Sequence, residues 1–382
     1  MSKNIIVFSD GTGQEGGTDH NTNVYKTFNL ILDRSPDQIS FYDKGLGTGF
    51  RKVTGNVFGR GFSENVRQCY EFIFEHYQDG DQIFLFGFSR GAATVRSLTG
   101  FIHMFGILPR SRAKLIDKAW RIYREKDAAE RQQAADEFIE VNHTMWATVK
   151  FLGVWDTVAA LGVPKTRLDR VLNWIVPHGF HDFKLSASVE NAYHALAIDD
   201  VRKSFHPILF EPGSNKKGEL KQVWFMGMHT DVGGGYRERG LSDIALEWMT
   251  GQAVKHGLRI YADPYRPTGE CTPNPNGHMH DARDKRWKKW VFTKHQREWP
   301  VNYGKPMIHK SVELRTSTRS NVPNGSYHPW IKDQKYEVEP WTHPSDWPSD
   351  PDFEGAKESL AALVGWCEPT NPRTTDDGLI GR

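Results

Sequence analysis

The sequence predicts an α/β protein built on a doubly wound, mostly parallel sheet, followed by an irregular region rich in Trp and Pro. Three observations carry this. Short apolar runs recur through the first two thirds of the chain, at Ile5–Phe8, Ile39–Tyr42, Ile83–Phe86, Val149–Trp155 and Val223–Met226. They are continuous rather than alternating, as strands covered on both faces are. Helical stretches lie between them, and Gly- or Asp-marked turns close them. Strand alternating with helix gives a parallel sheet, with function at the carboxyl ends of its strands.

The first run, Ile5–Phe8, leads into Asp10-Gly11-Thr12-Gly13. Between the second and third runs, Glu64 to Tyr77 (ENVRQCYEFIFEHY) spaces its apolar residues as one helix face. A helix opens at Ala92 after the third run and extends to Ile102. Arg112 to Val141 is charged and Ala-rich, with a weak periodicity that predicts a surface helix or a helix pair. After the fourth run, Val171–Phe180 (VLNWIVPHGF) sits between charged flanks and includes Trp174 and Pro177. It is a candidate lid, spanning about residues 165–185, that would cover an acyl pocket or touch a lipid surface; the alternative is an ordinary buried helix.

The last third changes character. Asp263 to Pro351 is rich in Pro, Trp, His and Asn, with Trp287, Trp290, Trp299, Trp330, Trp341 and Trp347. The expected boundaries are a core at 1–262, a cap or extension packed on it at 263–369, and a polar tail at 370–382. Within the extension, Arg283 to Val291 (RDKRWKKWV) interleaves basic residues with Trp. It reads as a solvated basic face with its Trp packed inward, with anionic head groups or nucleic-acid phosphates as the functional alternative.

Of 382 residues, Lys and Arg number 49 and Asp and Glu 47, a net charge of +2. That balance argues against a dedicated nucleic-acid binder. Hydrophobic residues make up 38%, enough to bury a core and too many for a disordered polymer. Cys69, Cys271 and Cys367 are far apart and lack metal-ligand spacing, so neither a disulfide framework nor a thiolate zinc site is expected. The apolar run near the N-terminus is too short for a signal-peptide core, and nothing approaches a membrane span. A soluble cytoplasmic protein is the default expectation.

The strongest chemical signal is Gly87-Phe88-Ser89-Arg90-Gly91, between an apolar run and a helix. A GxSxG in that frame is a nucleophile elbow, a sharp turn that lifts the Ser hydroxyl above the sheet. The helix that follows aims its N–H groups at a developing oxyanion, with the N–H of Arg90 as the expected donor. Asp10-Gly11-Thr12-Gly13 resembles part of the phosphotransferase pattern DxDGT, but Phe8 stands where the nucleophilic Asp would be. The better reading is a loop beside the elbow whose Gly11 and Thr12 supply the second oxyanion N–H, against a plain turn with an Asp cap. Asp156, in Gly153-Val154-Trp155-Asp156-Thr157-Val158, ends the strand after the elbow, where a carboxylate orients a catalytic His. His229 and Asp231 end the run at 223–226 and precede three consecutive glycines. Farther along, His309 fits the chain order Ser, acid, His.

DGTG at 10–13, GFSRGA at 87–92, GVWDTV at 153–158, ALAIDD at 195–200, HTDVGGGY at 229–236 and LSDIALEWM at 241–249 together resemble a family of α/β-hydrolases. That family includes the catalytic domain of type VI secretion phospholipase effectors. The resemblance covers about residues 3–250 and extends to HKSV near 309. It implies a Ser-Asp-His esterase of the lipase type with Ser89 as nucleophile, a lipid or small-molecule ester as substrate, contact with a membrane surface, and export that needs no signal peptide. The acid carries over to Asp156, with Asp231 as second choice, and the base to His309, with His229 as second choice. No cofactor is required. Two rival readings remain: a metal-dependent hydrolase using Asp10, Asp156, His229 and Asp231, and a non-catalytic binding protein on a hydrolase fold.

Overall fold

Within each apolar run, neighbouring residues face opposite layers of the molecule. In the computed structural model Ile5 and Val7 of β1 (Asn4–Ser9) join one core, and Ile6 and Phe8 join another. Ile83 and Leu85 of β3 (Gln82–Phe88) divide from Phe84 and Phe86 in the same way. This is why the runs are continuous: a strand covered on both faces has no solvent side to mark with polar residues. The structure describes residues 2–11, 17, 20–32, 35–45, 55–158, 185–213, 218–261, 271–281, 283, 292–315, 327–342 and 344. All of them lie in one unit, Met1–Trp347.

Among the described residues the sheet has eight strands in the order β2-β1-β3-β4-β5-β6-β7-β8, every neighbouring pair parallel. The other strands are β2 (Gln38–Asp43), β4 (Val149–Trp155), β5 (Val189–Ala197), β6 (Leu220–Phe225), β7 (Met307–His309) and β8 (Glu337–Glu339). One face packs against α2 (Gly55–His76), α3 (Arg90–Phe105), α4 (Leu115–Tyr123) and α5 (Ala128–Asn142) through residues such as Val66, Val95, Ala119 and Phe138. The other packs against α1 (Asn23–Leu30) and α7 (Gly240–Lys255) through Val24, Ile244, Trp248 and Met249. Between these last two come α6 (His229–Gly233), and after β7 α8 (Lys310–Leu314). The doubly wound parallel fold is therefore the one the sequence predicts.

The stretch 112–141 is a helix pair. Asp127 begins its second member by accepting the backbone N–H groups of Ala129 (2.8 Å) and Glu130 (2.9 Å), two donors with no partner inside the helix. Two features differ from expectation. Val189–Ala197 is a strand that no apolar run announced. The region 263–369 supplies the last two strands of the sheet, so the boundary at 262 does not part a core from a cap. Trp224, Ile308, Val312 and Ile331 form a third buried cluster around them, with Trp299 and Trp330 packed against it. Residues 165–184 of the candidate lid, 284–291 of the basic stretch and the tail at 370–382 lie outside the described residues. Among the described residues no helix is long and apolar enough to cross a membrane.

Candidate active site

Ser89 stands between β3 and α3 with φ 58° and ψ −117°. Such a conformation costs a non-glycine residue roughly 1–3 kcal/mol and persists only where the surroundings impose it. They do so here by close approach. A Cβ on Gly91 would lie 2.0 Å from the carbonyl oxygen of Ser9 on β1, and one on Gly87 would lie 2.6 Å from the carbonyl oxygen of Gly91. The Ser89 N–H donates to Trp155 O at 3.0 Å, which ties the elbow to the tip of β4. The hydroxyl is thereby held above the sheet at the positive end of the α3 dipole.

Asp156 follows β4 immediately and also has a positive φ, 39°. Its N–H still pairs with Ala195 O on β5 (2.8 Å), and the next N–H, of Thr157, donates to the buried ring of His194 (3.1 Å). Burial pushes the His194 pKa down to about 3, so its ring stays neutral and can accept. His229 opens α6 after β6. Its imidazole joins the other two groups: Nδ1–H donates to Asp156 Oδ2 at 2.6 Å, and Nε2 accepts from Ser89 Oγ at 2.9 Å. Phe88 and Phe205 flank the ring, with centroids 4.6 and 5.2 Å away.

Behind Asp156 lies a residue that nothing in the sequence singles out. Arg297 is 1% exposed and forks onto both carboxylate oxygens, NH1 to Oδ1 at 2.6 Å and NH2 to Oδ2 at 2.8 Å. The Ala197 N–H adds a bond to Oδ1 at 3.0 Å. Burial alone would raise the pKa of Asp156; the Arg297 guanidinium, helped by His229, outweighs it and holds the carboxyl well below the usual range. Burial lowers the pKa of His229, and the bond to Asp156 offsets only part of that. The imidazole is therefore neutral at neutral pH, as an acceptor of the Ser89 proton must be. Asp200 takes the His229 N–H (3.3 Å) and is itself held by Arg202 (2.6 and 3.0 Å).

Arg90 is the first residue of α3, and its N–H lies beside Ser89 at the helix start. Gly11 also lies against the elbow: a Cβ there would stand 3.5 Å from Ser89 Cβ. Its N–H, expected to face an oxyanion, donates instead to Asp10 Oδ1 at 2.6 Å. Thr12 lies outside the described residues. The other Asp10 oxygen accepts from Thr22 (2.5 Å) and Tyr42 (2.7 Å), and burial raises this carboxyl to about 6.

Two predicted residues stand elsewhere. Asp231 accepts the Met228 N–H (3.1 Å), so it caps the helix that carries His229, and it pairs with His280 (2.6 Å). His309, first choice as base, ends β7, four strands from β3 in the sheet. At about 4.8 Å per strand that is roughly 19 Å to the side. Its Nδ1 bonds Ser311 Oγ (2.8 Å) and its ring stacks on Phe225. The histidine beside Ser89 is His229, the second choice. The four residues of the metal reading do not converge, since Asp10 is bound to Thr22 and Tyr42, and Asp231 to His280. Among the described residues no group of three or more His, Cys, Asp or Glu is placed to hold a metal ion.

Residues 3–252 match the family described as the type VI secretion system phospholipase effector Tle1-like catalytic domain. The chain belongs to this family. The matched segment includes Ser89, Asp156 and His229. An uncharacterized protein of Saccharomyces cerevisiae is 29% identical over 235 residues, which is 55% of this chain and 33% of the yeast protein. Among solved structures, an uncharacterized protein from Pseudomonas aeruginosa is 16% identical with a TM-score of 0.44, covering 72% of this chain and 49% of that one. A Tle1 effector solved bound to the VgrG spike of the type 6 secretion system is 20% identical with a TM-score of 0.36, covering 62% and 51%. The chain thus spans about a third to a half of the length of these relatives.

Proposed function

We propose that the protein is a serine esterase that cleaves carboxylic esters of lipids through an acyl-enzyme. The observation that carries this is the continuous chain from Ser89 Oγ to His229 Nε2 (2.9 Å) and from His229 Nδ1 to Asp156 Oδ2 (2.6 Å). Ser89 attacks the ester carbonyl while His229 takes its proton. The oxyanion is held by the N–H of Arg90, with the Gly11–Thr12 loop as second donor once the Gly11 N–H leaves Asp10. The intermediate collapses as His229 gives the proton to the leaving alcohol. Water, deprotonated by His229, then releases the acid and restores Ser89. Asp156 remains ionised throughout. It fixes the tautomer in which Nε2 faces Ser89 and stabilises the imidazolium.

Phospholipid is proposed as the acyl donor because the family is described by that activity. Membrane-surface contact and export belong to the same proposal. The test is a panel of soluble short-chain esters and phospholipid vesicles, assayed with the wild-type chain and Ser89→Ala. Turnover of vesicle lipid that vanishes in Ser89→Ala is expected. Turnover that survives in Ser89→Ala but stops with chelator would move the chemistry to a metal.

A further inference from the structure

We propose that Arg297 is the positioning residue of this site: it keeps Asp156 ionised and weakens its pull on His229, so that the imidazole stays a free base. The inference rests on the function proposed above, but its test does not. Arg297 comes from outside the matched family segment, which ends at residue 252. The strand-like stretch 292–297 runs beside 201–203: Thr293 O accepts the Lys203 N–H (2.9 Å), and the His295 N–H donates to Val201 O (2.8 Å). From there the guanidinium reaches inward and makes four bonds. Two go to Asp156. The others go to the carbonyl oxygens of Ala197 (2.7 Å), at the end of β5, and Phe205 (2.6 Å). These two carbonyls fix the plane of the fork, so it meets both carboxylate oxygens at once.

The geometry has an electrostatic result. NH2 of Arg297 and Nδ1–H of His229 share one oxygen, Asp156 Oδ2. A carboxylate that faces a fixed cation on its far side attracts an imidazolium less than a lone carboxylate would. Burial without that cation would protonate the carboxyl, since an unpaired ion in such a place is costly. The other charged groups around His229 are Asp200, whose Oδ2 accepts its backbone N–H, and Arg202, which neutralises Asp200 by the same kind of fork. Among the described residues, the two carboxylates beside His229 are each paired with a guanidinium, which weakens their hold on its proton. Both consequences of losing Arg297 act in one direction. If Asp156 stays ionised, His229 holds its proton to higher pH. If Asp156 becomes protonated, the working pair forms only at higher pH.

The test is the protonation midpoint of His229, followed by NMR of histidine-labelled full-length protein and assigned with His229→Gln. It is measured in wild type, in Arg297→Met and in Arg297→Lys. The proposal expects the midpoint in Arg297→Met to rise by about one pH unit or more, a tenfold change in proton affinity, or the downfield Nδ1 proton to vanish as Asp156 protonates. Arg297→Lys keeps a cation without the fork, and a smaller rise is expected; it carries the test if Arg297→Met does not fold. An unchanged midpoint and an unchanged downfield proton in a folded variant would overturn the proposal and leave Arg297 a packing residue. In either case the acid limb of the pH–rate profile should move to higher pH. A wild-type protein that turns over no ester would defeat the proposed function, and the titration would still decide Arg297.

Discussion

Asp156 carries its negative charge where no water reaches, in a backbone conformation that few residues adopt. A buried carboxylate is tolerated only when its lone pairs are filled, and here Arg297, His229 and the Ala197 N–H fill them. Asp156→Asn should lower kcat by about 10⁴ with the protein still folded, because the amide favours the wrong tautomer of His229. His229→Asn should remove activity, whereas His309→Asn, far from Ser89, should leave kcat at the wild-type level. Equal losses in the two would point to His309 after all. The pH dependence follows from the direction of the His229 shift. A pKa held below the usual 6.5 means that the base is more than half neutral there. The acid midpoint of the kcat/KM profile should therefore lie below pH 6.5; a midpoint above 6.5 would contradict this. At this scale the sequence marked Ser89 through its motif between strand and helix, and it put Asp156 ahead of Asp231 because Asp156 ends the strand after the elbow. Its choice of base was harder. Both His229 and His309 follow Ser and Asp in chain order, so order could not separate them, and only the sheet position does. Arg297 left no local trace, since one Arg among charged and aromatic neighbours looks like surface.

Among the elements, the elbow is the one most constrained by backbone contact. Gly91→Ala would drive a methyl group into the carbonyls of Ser9, which ends β1, and Asp10, which follows it, 2.0 and 2.6 Å away. A loss of about 3 kcal/mol or more in denaturant unfolding is expected. Gly80→Ala is the control: its φ is +88°, but nothing lies within 4 Å of the added carbon. That change carries only the conformational cost, about 1–2 kcal/mol. Losses of equal size would mean that the elbow is not close-packed. The long apolar strands were legible because each is covered on both faces. Val189–Ala197 (VENAYHALA) was not, since Ala, Asn and His do not mark a strand by propensity, although its last residues, Ala195–Ala197, opened one motif of the family pattern. β7 and β8 are three residues each, too short to show a period.

For the molecule as a whole, the Trp- and Pro-rich part completes the sheet. Trp341 donates to Glu247 on α7 (2.8 Å), and Trp248 on α7 donates to Glu339 on β8 (3.1 Å), so the two parts are joined in both directions. Composition showed that this region differs from the rest but not where it packs, because its few regular residues contact strands far away in sequence. A chain ending at residue 262 loses β7, β8 and Arg297, and uncovers Trp224, which is fully buried. Such a chain should show no cooperative thermal transition by circular dichroism, while a chain ending at 347 should melt cooperatively. A cooperative melt of the shorter chain would restore the boundary at 262.

Everything proposed for this site depends on an activated serine at the elbow. Fluorophosphonate labelling of the full-length protein, mapped by peptide mass spectrometry, tests it most directly. A single adduct on Ser89 is expected, absent in Ser89→Ala and strongly slowed in His229→Asn. A folded protein that takes no label on Ser89, or labels equally fast without His229, would contradict it.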